Sequence, residues 1–93
     1  MIFGEQATQF LAIITTFFGV AMSLSYIPQI HRIIKRKSSE DISLIFLAII
    51  ALGIIFWFLY GLALGNWPLI IVNGLGLITT QAVLIIAWRY RKK

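Results

Sequence analysis

Three long apolar runs dominate the chain, at about 6–34, 42–64 and 68–88, with short polar stretches between them. Roughly 20 helical residues, at ~1.5 Å of rise each, cross a hydrocarbon core about 30 Å thick, so each run is long enough to span a bilayer. Backbone groups in lipid must be satisfied within the segment, which favours helices. The pattern therefore predicts an all-α integral membrane protein, in which residues 1–93 form a single transmembrane domain built as a three-helix bundle.

The two polar connections predict how the following helices begin. In the first, at 35–41, Ser38 and Asp41 have the spacing of a capping box, and Asp41 is itself a suitable N-cap for the second helix. Either a solvated helix start or a contact that gates a passage would explain this stretch. The second connection is very short, so the second and third helices are antiparallel neighbours, and Pro68 suits a first helical position.

The charged residues predict how the chain is oriented in the membrane. The net charge is +5, from eight Lys and Arg against three Asp and Glu. The basic residues form two clusters, one at the end of the first run and just beyond it, and one at the C-terminal end: Arg32, Lys35, Arg36, Lys37, and Arg89, Arg91, Lys92, Lys93. Because basic residues mark the cytoplasmic side, the N-terminus is predicted outside and the C-terminus inside. The positive charge is thus a topology signal, and no nucleic-acid partner is expected.

Composition excludes several classes of protein. The chain is 60% hydrophobic and 12% charged, with a mean hydropathy of +0.95, and a soluble domain of this size could not bury so much apolar surface. Without cysteine, no disulfide and no thiolate metal site is expected. Glu5 and the length of the first run argue against a cleavable signal peptide. No nucleophile–base pair, metal-ligand cluster or phosphate loop appears, so neither an enzyme nor a cofactor is predicted.

A proline interrupts the first run near its inner end. Pro28 has no N–H to donate to the carbonyl of Leu24, and its ring crowds that carbonyl. In lipid the freed carbonyl needs another partner, so such a break is expected where protein or water surrounds it. Pro28 is therefore predicted to form a bend that faces other helices, and the neighbouring polar Gln29 suggests an element that opens and closes.

The polar groups within the three cores are all neutral. Apart from Arg32 at the end of the first run, no Asp, Glu, Lys or Arg lies within the three runs, whereas proton-coupled transporters generally need an ionisable group at depth. His31 adjoins Arg32 at the cytoplasmic end and is expected to be exposed to water. Any transport is therefore predicted to be uncoupled, down the gradient of the solute itself.

Trp57 and Asn73 are predicted to lie at the same depth. Asn73 is five residues from Pro68, about 8 Å along the helix, and Trp57 is seven residues before Leu64, about 10 Å along its helix. An indole plane beside an amide suits a sugar, because a pyranose ring presents C–H groups on its face and hydroxyls around its rim. The C–H face packs on the indole, and the amide offers a donor and an acceptor to the hydroxyls. The Asn73 amide is not expected to be satisfied by its own helix, and its exposure to lipid would be costly, so it should face protein or a wet cavity. As the alternative to a sugar site, Trp57 faces lipid or fills the core, and Asn73 bonds a neighbouring helix.

Three helices are too few to enclose a hydrated path for a sugar. Since all copies insert in one orientation, the simplest closed assembly is a parallel homodimer, with its two-fold axis along the membrane normal. Each protomer would then give one Trp57 and one Asn73 to a shared site. The small-residue pattern at 61–65 permits close helix approach, either within a protomer or between protomers.

Four motifs resemble those of the bacterial SemiSWEET sugar transporters, a branch of the PQ-loop proteins. They are SYIPQ at 25–29, DIS at 41–43, FWFLYG at 56–61 and IVNG at 71–74, in matching order and spacing. The resemblance implies a three-helix bundle that dimerises in parallel in the bacterial inner membrane and carries mono- or disaccharides, such as glucose or sucrose, by alternating access. A holin-like structural or pore-forming protein, and a PQ-loop carrier of another small solute such as an amino acid, are the alternatives.

The resemblance also implies roles for individual residues. Trp57 and Asn73 would bind the sugar, Pro28 would be the hinge of the first helix, Gln29 would stabilise the bent segment, and Tyr60 would help to close the outer gate. One departure is visible at 64–67, which read LGNW, whereas some relatives carry a charged pair there that bolts the outer gate.

Overall fold

The computed structural model describes residues 3–91 and is all-helical over that range. Its helices are α1 (Gly4–Leu24), α2 (Tyr26–Arg36), α3 (Leu44–Leu64) and α4 (Trp67–Arg89). The first two form one continuous span over Gly4–Arg36, and within the described residues three helices are long and apolar enough to cross a membrane. The predicted fold class, an all-helical membrane protein with three spans, is confirmed.

The start of α3 differs from the predicted one. Ser43 is the N-cap, with extended backbone (φ −81°, ψ 112°), and its hydroxyl accepts a hydrogen bond from the Phe46 N–H at 3.1 Å. The prediction that Asp41 caps this helix is wrong, because Asp41 lies upstream of the cap and its carboxylate pairs with Arg36 at 3.0 Å. Ser38 is likewise no cap of α3; its hydroxyl accepts from the Glu40 N–H at 3.3 Å, within the connection itself.

The α3–α4 hairpin is closed by a glycine and an asparagine. Gly65 ends α3 in the left-handed region (φ 64°), where a glycine avoids the cost of a Cβ. Asn66 then caps α4, accepting the Leu69 N–H through Oδ1 at 3.2 Å. Since α4 begins at Trp67, Pro68 takes the second helical position rather than the first.

Helix α4 is the central element of the bundle. It packs against α1 and α2 on one side and α3 on the other, while α1 and α3 make no close backbone approach to each other. Two glycines permit the tight contacts: a Cβ on Gly19 would lie 2.5 Å from the side chain of Val72, and one on Gly61 would lie 2.8 Å from Leu69 Cβ. The small residue Gly61 thus serves packing within the protomer.

The buried core lies at one end of the bundle, the end that carries the 37–43 connection, which we call the inner end. Its four buried members come from three helices: Ile33, Leu47, Val83 and Ala87. The connection is fixed to the last turn of α4, because the buried Ser39 hydroxyl donates to the Ala87 carbonyl. The Arg91 guanidinium adds bonds to the carbonyls of Glu40 and Ile42.

The outward surface of the bundle is strongly apolar. Large side chains on every span are well exposed, among them Phe17 at 69%, Ile45 at 75% and Trp88 at 71%. In water such a surface would be unfavourable, because contiguous apolar patches are small on soluble monomers. The exposure is that of a chain surrounded by lipid or by further protein.

Candidate functional site

A cavity of about 530 Å³ lies between α1 and α3, with α4 as its back wall. It is open on one side, because the two flanking helices do not meet. Its polar wall residues come from three helices and the α1–α2 junction: Ser23, Ser25, Tyr26, Gln29 and Asn73. The remainder of the wall is apolar and includes Met22, Ile50, Ile54 and Val72. The size and the mixed lining are those of a small-molecule site, which typically has about 300–1,000 Å³ and a few placed polar groups.

The cavity exists partly because Gly76 has no side chain. A Cβ on Gly76 would lie 3.5 Å from Ser23 Oγ and 3.6 Å from Ile54 Cδ1, in ordinary contact with both. A larger residue would fill the space between α1 and α3. The carbonyl of Gly76 accepts from the hydroxyls of Thr79 at 3.1 Å and Thr80 at 2.7 Å, so this part of α4 is fixed from within.

Asn73 lies on the α4 wall of this cavity and is half-buried. Its Nδ2 donates to the Leu69 carbonyl one turn earlier, at 2.9 Å. The expectation that its own helix would not satisfy this amide is therefore wrong for one of the two N–H groups, because an asparagine side chain can reach the carbonyl at i−4. Oδ1 makes no hydrogen bond within residues 3–91, which leaves an acceptor and the second N–H for a ligand.

Trp57 and Tyr60 lie in a different concave surface. Together with Gly53 and Phe56 they line a depression of about 470 Å³ on α3. The two rings pack edge to face with centroids 6.0 Å apart, and both side chains are more than half exposed, at 55% and 53%. Within one protomer, then, Trp57 and Asn73 do not line the same cavity. Their sharing of a site stays a prediction about an assembly.

The helix break lies at Ser25, three residues before the proline. Ser25 donates its backbone N–H to Ala21 and Met22 at 3.0 and 3.2 Å, and α2 starts at Tyr26. The prediction that the bend at Pro28 faces other helices is wrong within the protomer, because Pro28 lies on an exposed side of α2. Gln29, by contrast, is partly buried in the cavity wall, and its amide has no hydrogen bond among the described residues.

Several cavity residues were not singled out from the sequence. Met22 and Tyr26 follow Gly19 at steps of three and four, the spacing of one helix face, and the structure places both in the wall beside Gln29, which the sequence had indicated. Extending the helix face of Gln29 back toward the N-terminus by these steps would have found them. Gly76 and Ser23 could not be found in this way, because their proximity depends on where α1 crosses α4.

No charged side chain lines the cavity, so the site offers hydrogen bonds and apolar contact but no ionic attraction. Within residues 3–91, no group of three or more His, Cys, Asp or Glu side chains could hold a metal ion. A neutral cavity of this size, open on one side within a helical membrane protein, is suited to a small solute without charge.

The comparison with known proteins gives the family. Residues 9–93 match the family described as sugar efflux transporters for intercellular exchange, and the chain belongs to it. It is 34% identical to the sugar transporter SemiSWEET of Bradyrhizobium diazoefficiens over 68 residues, which cover 73% of the chain and 79% of that protein. It is 33% identical to the SemiSWEET of Leptospira biflexa over 51 residues, 55% of the chain and 60% of that protein.

A solved structure agrees with these relatives. The chain superposes on a crystal structure of a bacterial homologue of SWEET transporters with a TM-score of 0.80 and 32% identity. The match covers 87% of the chain and 98% of that structure. The resemblance drawn from the motifs at 25–29, 41–43, 56–61 and 71–74 is thereby confirmed. The family is one of membrane transporters for sugars and not a class of enzymes.

Proposed function

We propose that this protein is a bidirectional sugar facilitator, which moves mono- or disaccharides such as glucose or sucrose across the bacterial inner membrane by alternating access in a parallel homodimer. The observation that carries the proposal is the neutral cavity of about 530 Å³ beside the α1–α2 break. Hydrogen-bond donors and acceptors from Asn73 and Gln29, placed among apolar side chains, suit a solute rich in hydroxyls and without charge.

The assembly proposal rests on what one protomer leaves open. The cavity lacks a wall opposite α4, and the half-exposed aromatic pair of Trp57 and Tyr60 lies on the adjoining helix. A second copy, related by a two-fold axis along the membrane normal, would supply the missing wall and bring in its own Trp57 and Asn73. Aromatic planes from α3 and amides from α4 would then surround a sugar from both sides.

The proposed alternation uses the break in the first span. Pro28 would act as the hinge between α1 and α2, since no N–H from it ties the two parts together, and Gln29 would stabilise the bent segment from the cavity wall. Tyr60 lies about one turn outward of Trp57 and would help to close the outer gate. The orientation, with the inner end facing the cytoplasm, is supported by the basic residues at that end.

The experiment that tests this function is uptake of labelled glucose and labelled sucrose into proteoliposomes, comparing the wild type with Trp57→Ala. Saturable uptake that is lost in the variant is the expected result, because the variant removes the stacking plane but not the bundle; Trp57 is 55% exposed in the protomer. Empty liposomes and Trp88→Ala, an equally large change at an exposed site outside both depressions, are the controls.

Two other outcomes would contradict the proposal. Leakage of ions or dyes without saturable sugar uptake would indicate a pore-forming protein. Saturable sugar uptake that Trp57→Ala leaves unchanged would keep the transporter but remove Trp57 from its site.

A further inference from the structure

Ser23 differs from the other buried hydroxyl residues of the spans. It is only 6% exposed, yet its hydroxyl makes no hydrogen bond within residues 3–91. Thr79 and Thr80, which are as deeply buried, both donate to the carbonyl of Gly76. No fully buried side-chain N or O atom among the described residues lacks a partner, so the Ser23 oxygen keeps some access to the open cavity, where a solute or water can supply its hydrogen bond.

The Ser23 side chain belongs to the wall of the 530 Å³ cavity. Its Oγ is 3.5 Å from the position that a Cβ on Gly76 would occupy, so it faces the part of α4 that has no side chain. Asn73 lies three residues before Gly76, about 4.5 Å along the same helix. Ser23 and Asn73 therefore present polar groups at two levels of one cavity, about one helical turn apart.

We propose that Ser23 is a second polar contact of the transported solute. The Ser23 hydroxyl bonds one hydroxyl of a sugar while the Asn73 amide bonds another. The inference rests on the sugar-transport function proposed above and adds a specificity determinant to it. A pyranose carries several hydroxyls around its rim, so two polar groups at different depths orient the ring. Discrimination between sugars then follows, because a site built to bond a hydroxyl rejects an analogue that lacks it.

The alternative is that Ser23 is only a small residue at the crossing of α1 and α4, where its contact with Gly76 permits close packing. The two roles differ in what they predict for chemically altered substrates. A packing residue affects all sugars alike. A binding residue affects only those sugars that carry the hydroxyl it bonds.

The test is a comparison of Ser23→Ala with the wild type in proteoliposomes, using the sugar that the wild type transports and a panel of its monodeoxy analogues. The variant is expected to raise the KM for the parent sugar roughly five- to tenfold, the effect of one lost hydrogen bond. For one deoxy analogue, the KM of the wild type should already be raised by this factor relative to the parent sugar. Ser23→Ala should not raise the KM for that analogue any further. For the other analogues the variant should still cause the full rise.

Thr16→Val is the matched control, because it removes a hydroxyl from the same helix but outside the cavity. That hydroxyl donates to the Ala12 carbonyl. The KM values of this variant should match those of the wild type. Ser23→Cys, which keeps the size of the side chain but donates weakly, should behave like Ser23→Ala and guards against a folding defect in the smaller variant.

Each outcome is decisive. If both Ser23 variants keep the wild-type KM, or raise it equally for every analogue, Ser23 is a packing residue and the inference is wrong. If the wild type itself takes up no sugar, the proposed function fails, which is a separate result from a failure of Ser23.

Discussion

Asn73 is the residue on which the proposed site depends most. One N–H of its amide is held by the Leu69 carbonyl at 2.9 Å, which fixes the rotamer and leaves the carbonyl oxygen and the second N–H for the cavity. Asn73→Ala is expected to reduce sugar uptake to background, because a pre-oriented donor and acceptor are lost together. Proteoliposome uptake measures this, and size-exclusion chromatography should show the assembly of the wild type.

The control for Asn73 is Gln81→Ala, which removes an amide from the same helix, partly buried but outside the cavity. Uptake by this variant should equal that of the wild type. Normal uptake by Asn73→Ala would exclude Asn73 from the site.

Individual residues show what the sequence could and could not predict. The polar amide of Asn73 was expected to avoid lipid, and it does lie on a cavity wall. Asp41 and Ser43 are both good N-cap residues, so local sequence could not choose between them. The choice was made by tertiary contacts, since Arg36 binds the Asp41 carboxylate and the Ser39 hydroxyl holds the connection against Ala87.

At the scale of the helices, the structure resolves the role of the small residues in α3. Gly61 contacts α4 so closely that a Cβ would meet Leu69 Cβ at 2.8 Å, whereas a Cβ on Gly53 would meet nothing within 4 Å. Gly61→Ala should therefore lower the thermal unfolding midpoint in detergent, because overpacking costs about 1–3 kcal/mol. Gly53→Ala should leave it unchanged or raise it, since glycine in a helix interior costs about 0.5–1 kcal/mol.

Circular dichroism on both variants under identical conditions checks this pair. Equal stability of Gly61→Ala and Gly53→Ala would mean that α3 does not pack on α4 through Gly61. The pair is matched, because both changes add one methyl group to the same helix and only the surroundings differ.

Hydropathy was enough to predict three spans, but not their arrangement. The strongly apolar faces of all three helices carry no signal that places α4 between α1 and α3. That order depends on close contacts at Gly19, which the sequence did not single out, and at Gly61. For Gly61, sequence spacing left open the choice between packing inside a protomer and contact between protomers. A bend was predicted at Pro28, whereas α1 ends at Leu24 and the turn residue is Ser25, three residues earlier.

At the scale of the whole molecule, the open side of the cavity leads to a prediction about assembly. Tyr60 lies four residues before Leu64, the end of α3, and Ile71 lies four residues after Trp67, the start of α4. The two residues are therefore at about the same depth. Both are exposed, at 53% and 46%. Tyr60 is beside Trp57 on α3, on the surface proposed to meet a second copy. Ile71 is on α4, the back wall of the cavity.

The chain contains no cysteine, so a single introduced cysteine reports its own neighbours. In a parallel homodimer closed around the cavity, Tyr60→Cys should be joined to its symmetry mate by a short bifunctional thiol reagent in the membrane, and Ile71→Cys should not. An antiparallel pair would separate two copies of residue 60 to opposite faces of the bilayer and give no product. A product from Ile71→Cys alone would place α4 at the interface, and the proposed shared site of Trp57 and Asn73 would then be wrong.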